Sequence, residues 1–461
     1  MSSGSVYSFH DLESNISGIP DGGVLDLNNG DVYRYSDNYS VSGIVISNSI
    51  VINGNGVVID GNNQSMIFAI VSNNVILNDI VFVNGYSSHH GGAIIWSGAN
   101  GTINNCSFMN NVAKDNGGAI YWSGANGTIN YCFFMNNTAG GGGAIYWYGF
   151  NGSVGNCNFV DNSAVNSGGA IYWHNSNGKL LNCNFTNNSA YNCGAILWNG
   201  FNGSVGNCNF VSNSARNYGG AMSWNAFNGL LFNCSFYDNF AINGGGIRWL
   251  SNGKNCMLIN CSFFDNIASN SGGGIYWEGT NIILENVSFN NNKAKGNVGG
   301  AIFMANTVSN SKLLYCRFVN NFAVNYGGGI DWRGSYSVLS NCVFINNTSS
   351  RSAGAIRLIG SFNNFICCNF SNNKVNSRGS ALYVSGVDFK IDFCIFNFNY
   401  ANNGEVIYYY GGSSHGLNII NSSFVNNSAN IIYFDKGVNN IIQDSKINSN
   451  DKCLFILPRQ L

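Results

Sequence analysis

Charge is what this sequence has least of. Only 9% of its 461 residues are Asp, Glu, Lys or Arg, and the formal net charge is -1. So few charges leave no basic footprint for a nucleic acid and no acidic tail. Proline occurs twice and glycine never falls into an every-third-residue period, which excludes a collagen-like chain. No apolar run approaches the ~20 residues that a membrane-spanning helix needs. The 15 cysteines contain no C-x-x-C pair, so zinc and dithiol redox motifs have no footing. A G-x-G-x-x-G between strand and helix is missing too, and with it a phosphate-cradling loop. The opening MSSGSVYSFH lacks the basic-then-apolar pattern of a secretory signal, and the closing CLFILPRQL carries no visible anchor. The start therefore reads as a chain whose signal has been removed or as an internal piece of a longer one, and residues 451–461 as an end that is truncated or continues into a missing region.

What the sequence does have is a repeat. Gly117-Gly118-Ala119-Ile120-Tyr121-Trp122 returns at 91–96, 142–147, 168–173, 193–198, 219–224, 244–249, 272–277, 299–304 and 327–332, and fades at 353–358 and 379–384. All nine tryptophans take the last place of this hexamer, 25, 26 or 28 residues apart where copies are adjacent. A period of that size is one supersecondary unit stacked on itself, which makes the chain a solenoid. A second motif, C-x-F, runs in the same register from Cys106/Phe108 to Cys394/Phe396, with Val287/Phe289 and Ser422/Phe424 lacking the thiol. An apolar residue lies three places before each Cys position, and an Asn three places after each Phe, from Asn111 to Asn427.

Each coil thus holds three short period-2 runs separated by bends, too short and too rich in Gly and Asn for helices. Ile120, Trp122, Cys132 and Phe134 represent the inward columns. Asn137 represents a ladder in which a left-handed Asn bonds its equivalents above and below. Eleven thiols in one inward column read as buried and unpaired, with Cys193, Cys256, Cys367 and Cys453 off it. The expected fold is all-β: a right-handed single-stranded parallel β-helix of the pectin-lyase-like kind, about 15 coils of 25–28 residues. Residues 1–43 are expected to cap its start and residues 44–450 to form it.

The pairing of Gly-Gly-Ala-Ile with Phe-x-x-Asn, from Gly91–Ile94 with Phe108 and Asn111 to Gly327–Ile330 with Phe344 and Asn347, resembles the repeat of polymorphic outer-membrane proteins. With IVING…VVIDG at 50–61, the chain looks like the Asn-rich adhesin-like surface proteins of methanogenic archaea. That resemblance implies a right-handed parallel β-helix, export and a place outside the cell or on its surface.

Parallel β-helices also carry polysaccharide lyases and glycoside hydrolases, and fold does not decide between them. Such chemistry gathers carboxylates, either ~5 to 9 Å apart for acid–base work or around calcium. The candidates are Asp238 and Asp265, one coil apart in a single column, with Asp161 further back; the same column is mostly Asn, which favours a surface role. No cofactor is expected, and calcium is the one metal that column could call for. His89, His90 and His174 have no ligand set at metal spacing. Asp331 and Arg357 share an outward column in adjacent coils, which predicts an exposed ion pair of little worth.

Tyr121, Tyr146, Tyr172, Tyr276, Phe303 and Tyr383, with Leu197 among them, form an outward stripe that could stack on sugars or a partner. N-G-[ST] turns make Asn100, Asn126, Asn151 and Asn202 the best glycan acceptors. The expectation is a non-catalytic, adhesin-like surface protein that presents this face to an extracellular glycan or a cell-surface protein. The alternatives are a β-helical lyase or hydrolase, and a structural surface spacer.

Overall fold

The computed structural model describes residues 5–37, 39–411, 416–428, 430–436, 439–448 and 455–456. They fall into two compact units, Met1–Ala226 and Phe227–Leu461. Both units are parallel β-solenoids, consistent with the right-handed β-helix that parallel crossovers favour. The hexamer strand recurs eight times in the first unit, from Ile44–Ile46 to Met222–Trp224, and nine times in the second, from Ile247–Trp249 to Phe455–Ile456. That makes about seventeen turns, two more than the motifs alone mark, because the outermost turns keep the strand without the tryptophan.

The first unit begins before the repeat does. A helix over Phe9–Ser17 starts at Ser8, whose hydroxyl accepts from the Asp11 amide while the Asp11 carboxylate takes the Ser8 amide. This reciprocal capping box satisfies two helix-end donors. Phe9, Leu12 and Ile16 are buried beneath the helix. Strands Val24–Asp26 and Val32–Arg34 already stack in parallel on the two halves of Val51–Asp60.

A repeat turn contains four strands, one more than the sequence motifs suggest. In one turn these are Ile120–Trp122, Thr128–Asn130, Phe133–Met135 and Thr138–Gly141, the fourth lying just past the Asn ladder. Identical residues meet between turns: Ile120 pairs with Ile145, Trp122 with Trp147, Ile103 with Ile129 and Phe108 with Phe134. Stacked Phe108 and Phe134 rings are 4.9 Å apart, and Trp122 and Trp147 likewise 4.9 Å. Each such pair adds roughly 0.5–1.5 kcal/mol beyond the area it buries.

Ile120, Trp122, Cys132, Phe134 and Asn137 are all buried. The thiols bridge turns through polar contacts as well as packing: the Cys106 amide donates to Cys132 Sγ at 3.4 Å. No disulfide joins the described cysteines, and only Cys367 among them is exposed; Cys453 lies outside the described residues.

The Asn column divides two jobs that the sequence assigns to one residue. Asn137 Oδ1 accepts both the amide N–H and the side-chain N–H of Asn111, at 3.1 and 3.0 Å, while Asn137 Nδ2 donates to the Phe108 carbonyl at 3.0 Å. The left-handed backbone belongs to the residue before it, Asn136 at φ 53°. Burial of an amide demands that every polar atom be partnered, and here each is.

Glycine has an equally local cause. A Cβ on Gly118 would stand 2.0 Å from the Gly143 carbonyl oxygen of the next turn. The second place of the hexamer therefore excludes side chains wherever turns stack closely.

Candidate functional site

Asp238 and Asp265 occupy left-handed turn positions, at φ 52° and 54°, and so does Asp161 at 54°. Asp is one of the few residues that tolerate this conformation, so the backbone explains these carboxylates. Among the described residues no group of three or more His, Cys, Asp or Glu side chains is placed to hold a metal ion.

In the first unit the stripe residues stack on one another. Tyr121 and Tyr146 lie 5.4 Å apart, Tyr146 and Tyr172 4.7 Å, and His90 covers Tyr121 at 4.7 Å. Ring faces are therefore taken up along the stack, and what points to solvent is ring edge and hydroxyl. Asn199 Nδ2 donates to the Tyr172 hydroxyl at 3.0 Å. Burial pushes the Tyr146 phenol up to about 12.

The second unit treats the same column differently. Tyr276 stacks on Phe303 at 4.6 Å, and the Arg333 guanidinium covers the other face of the column at 4.9 Å from the Phe303 centroid, leaving Phe303 buried. Asp331 follows Phe303 in register and Arg357 follows Asp331. Their ion pair is buried, in contrast to the exposed pair expected from the outward column. Asp331 has no solvent exposure, because Arg357 and Arg333 close over it. The Arg357 guanidinium in turn lies 4.1 Å from the Tyr326 ring centroid, where the quadrupole favours a cation.

Further along, the Tyr383 ring lies 4.8 Å from that of Tyr408, tilted by 31°. Arg378 lies over the Tyr408 ring at 4.5 Å, and its Nη1 donates to the Tyr408 hydroxyl at 2.6 Å. That hydroxyl donates to Asp435 Oδ2 at 2.5 Å. Burial, reinforced by the Asp435 hydrogen bond, raises the Tyr408 pKa.

Glu405 stands in the hexamer's second place, the glycine column, and is buried. Among the described residues its Oε2 has no hydrogen-bond partner. Desolvation raises its carboxyl to about 7, against the opposing pull of Arg378. Arg378, Glu405, Tyr408 and Asp435 are absent from the sequence-level candidates. The copy that holds Glu405 and Tyr408, GEVIYY at 404–409, has lost its second glycine and its tryptophan. Aligning that degenerate copy would have found the Glu.

The N-G-[ST] asparagines also belong to a ladder. Asn100, Asn126 and Asn151 each donate Nδ2 to the preceding rung, at 3.1, 3.0 and 3.1 Å, and Asn202 donates to Asn177 at 3.1 Å. They are exposed, but the nitrogen that would carry a sugar is already bonded within the ladder.

Three stretches, residues 105–121, 131–146 and 286–305, match the Chlamydia polymorphic membrane protein repeat. The chain thus carries Asn-rich β-helix repeats of that type, and the match does not extend to an archaeal or methanogen source. No curated protein matches it in sequence. Similar solved structures include a PL6 alginate lyase in complex with a trisaccharide, 11% identical with TM-score 0.46 over 80% of this chain and 86% of that one. A tailspike protein mutant of E. coli bacteriophage HK620 in complex with a pentasaccharide is 14% identical, with TM-score 0.35 over 95% and 72%. The Streptococcus pneumoniae surface protein and adhesin PfbA is 10% identical, with TM-score 0.32 over 95% of each chain. These are likenesses of fold. Several are to alginate lyases, which corrects the expectation that the chain is not an enzyme. Among the described residues no helix is long and apolar enough to cross a membrane.

Proposed function

We propose that the protein handles a polysaccharide outside the cell or at its surface, laying the polymer along the outward hexamer column of residues 227–461. One observation carries this reading: polar groups on that face are fixed in advance. Arg357 is held by Asp331 and Tyr326, and Arg378 by Tyr408. Sugar hydroxyls and ring substituents are recognised by donors and acceptors that need little ordering on binding. Parallel strands repeat such groups from turn to turn, which suits a linear polymer making many weak contacts. A glycan array with the purified chain tests the reading. Binding should fall at least tenfold in a Tyr326→Ala, Tyr383→Ala double variant, and a chain that binds no polysaccharide removes it.

Cleavage of the bound polymer is a second reading, supported by the relay from Arg378 through the Tyr408 hydroxyl to Asp435. A phenol that donates to a carboxylate while a cation sits on its oxygen is arranged to move a proton. Release of reducing or unsaturated ends from a polymer that binds, lost in Tyr408→Phe, is the expected result. Binding with no release from any polymer would leave recognition alone.

A further inference from the structure

The four arginines of this face are not equivalent. Asp331 is saturated by two of them: Oδ1 receives Arg357 Nε at 2.6 Å, and Oδ2 receives Arg357 Nη2 at 2.7 Å together with Arg333 at 3.1 Å. Arg351 and Arg378 take part in none of the ion pairs among the described residues. Both residues are exposed. Each is nonetheless steadied by an aromatic ring, Arg351 at 5.8 Å from the Tyr326 centroid and Arg378 at 4.5 Å from that of Tyr408. Arg378 spends one N–H on the Tyr408 hydroxyl and keeps the rest of its five-donor fork.

The two also sit on neighbouring turns. The Arg351 carbonyl accepts the Ser377 amide at 3.2 Å, and the Arg378 carbonyl accepts the Ala353 amide at 3.0 Å. Turns stack about 4.8 Å apart, so two positive side chains start from neighbouring turns, one residue out of register, and each reaches to the turn beyond, Arg351 to Tyr326 and Arg378 to Tyr408. Like charges so placed repel one another unless something negative lies between them. Two acids lie near Arg378, Glu405, which is buried and held towards its neutral form, and Asp435, which accepts from the Tyr408 hydroxyl; together they offset Arg378 in part. In a chain with a formal net charge of -1 and 9% charged residues, solubility does not require this grouping, since outward positions elsewhere are filled by Asn, Ser and Tyr.

We propose that Arg351 and Arg378 form a subsite in which each takes an anionic group, carboxylate or sulfate, of an acidic polysaccharide lying along the turns. The inference rests on the polysaccharide reading above and names its ligand class. A guanidinium fork matches either anion with two parallel hydrogen bonds, and a neutral sugar offers no equal partner.

The test is titration calorimetry of the full chain against polygalacturonate, dextran sulfate and neutral dextran. An acidic polymer should bind at least tenfold more tightly than dextran. Arg351→Gln with Arg378→Gln should lower that affinity at least tenfold while leaving the far-ultraviolet circular dichroism spectrum unchanged. Lys replacements should recover only part of it, because a point charge lacks the fork. Lys293→Gln with Lys295→Gln, in another part of the same unit, should change nothing. Preference for polygalacturonate identifies a carboxylate; tighter binding of dextran sulfate identifies a sulfate. Equal binding of acidic and neutral polymers, or an unaffected double Arg variant, overturns the subsite while leaving polysaccharide recognition in place. No binding to any of the three polymers removes both.

Discussion

Arg357 closes a two-pronged fork on Asp331 from the turn directly after it, Nε to Oδ1 at 2.6 Å and Nη2 to Oδ2 at 2.7 Å, with the carboxylate wholly buried. Removing one member of such a pair leaves the other charged and desolvated. Arg357→Gln should cost roughly 3 kcal/mol, the low end for this kind of loss, because Arg333 still touches Asp331. Replacing both residues with Leu should cost less than the single change. Urea unfolding of the three proteins measures the order, and a double variant less stable than the single one contradicts it.

The buried Asn ladder should behave unlike the exposed one. Asn137→Ala strips partners from the Asn111 amide, the Asn111 side chain and the Phe108 carbonyl, all within the core. Each orphaned group costs about 1–3 kcal/mol, so a total loss of several kcal/mol is expected. Asn126→Ala removes an exposed side-chain bond of 3.0 Å and should cost about 1 kcal/mol or less, mostly through the left-handed backbone it leaves to Ala. Similar losses at both sites would mean that the ladders are equivalent.

Periodicity explains why so much of the fold could be read from the sequence. Phe108, Trp122 and Asn137 recur at a fixed interval because identical residues must stack, so the spacing is itself the structure. Departures from the period were harder to read. Burial of Asp331 depends on Arg333, which lies outside its column, so a column-by-column reading places the pair at the surface. Ring faces in the Tyr121–Tyr172 stripe are taken up by stacking along the axis, which the outward spacing of the column does not show. Glu405 was hidden because its copy of the hexamer breaks the motif at the place where the functional group sits.

The thiols should divide sharply in reactivity. Burial raises the Cys106 thiol to about 12, and the other column cysteines are equally inaccessible. Nucleophilic attack needs the thiolate and a path to it. Among the described cysteines, Cys367 alone should be alkylated rapidly by iodoacetamide in the native state, and Cys367→Ser should abolish that labelling. Peptide mapping by mass spectrometry assigns the site, and fast labelling of Cys132 or Cys342 would count against the stacked core.

Stability should depend on pH through Glu405. Its carboxyl rises from 4.5 in the open chain to about 7 in the folded one, with burial as the main cause and Arg378 the charged group opposing it. Between those values the folded protein keeps a proton that the unfolded chain releases. The stabilising contribution is therefore fully present below pH 4.5 and is lost as pH rises through 7. The site explains why: a Cβ at the equivalent place on Gly354 would lie 2.3 Å from the Ser380 carbonyl oxygen, and here Ser380 donates instead to the Glu405 carbonyl at 2.7 Å. The side chain is forced into a dry position where its neutral form is favoured. Glu405→Gln keeps the shape and cannot ionise. Melting temperatures between pH 5 and pH 8 should fall more steeply for the native chain than for this variant. Parallel slopes would mean that the carboxyl is ionised throughout and that the pull of Arg378 outweighs burial.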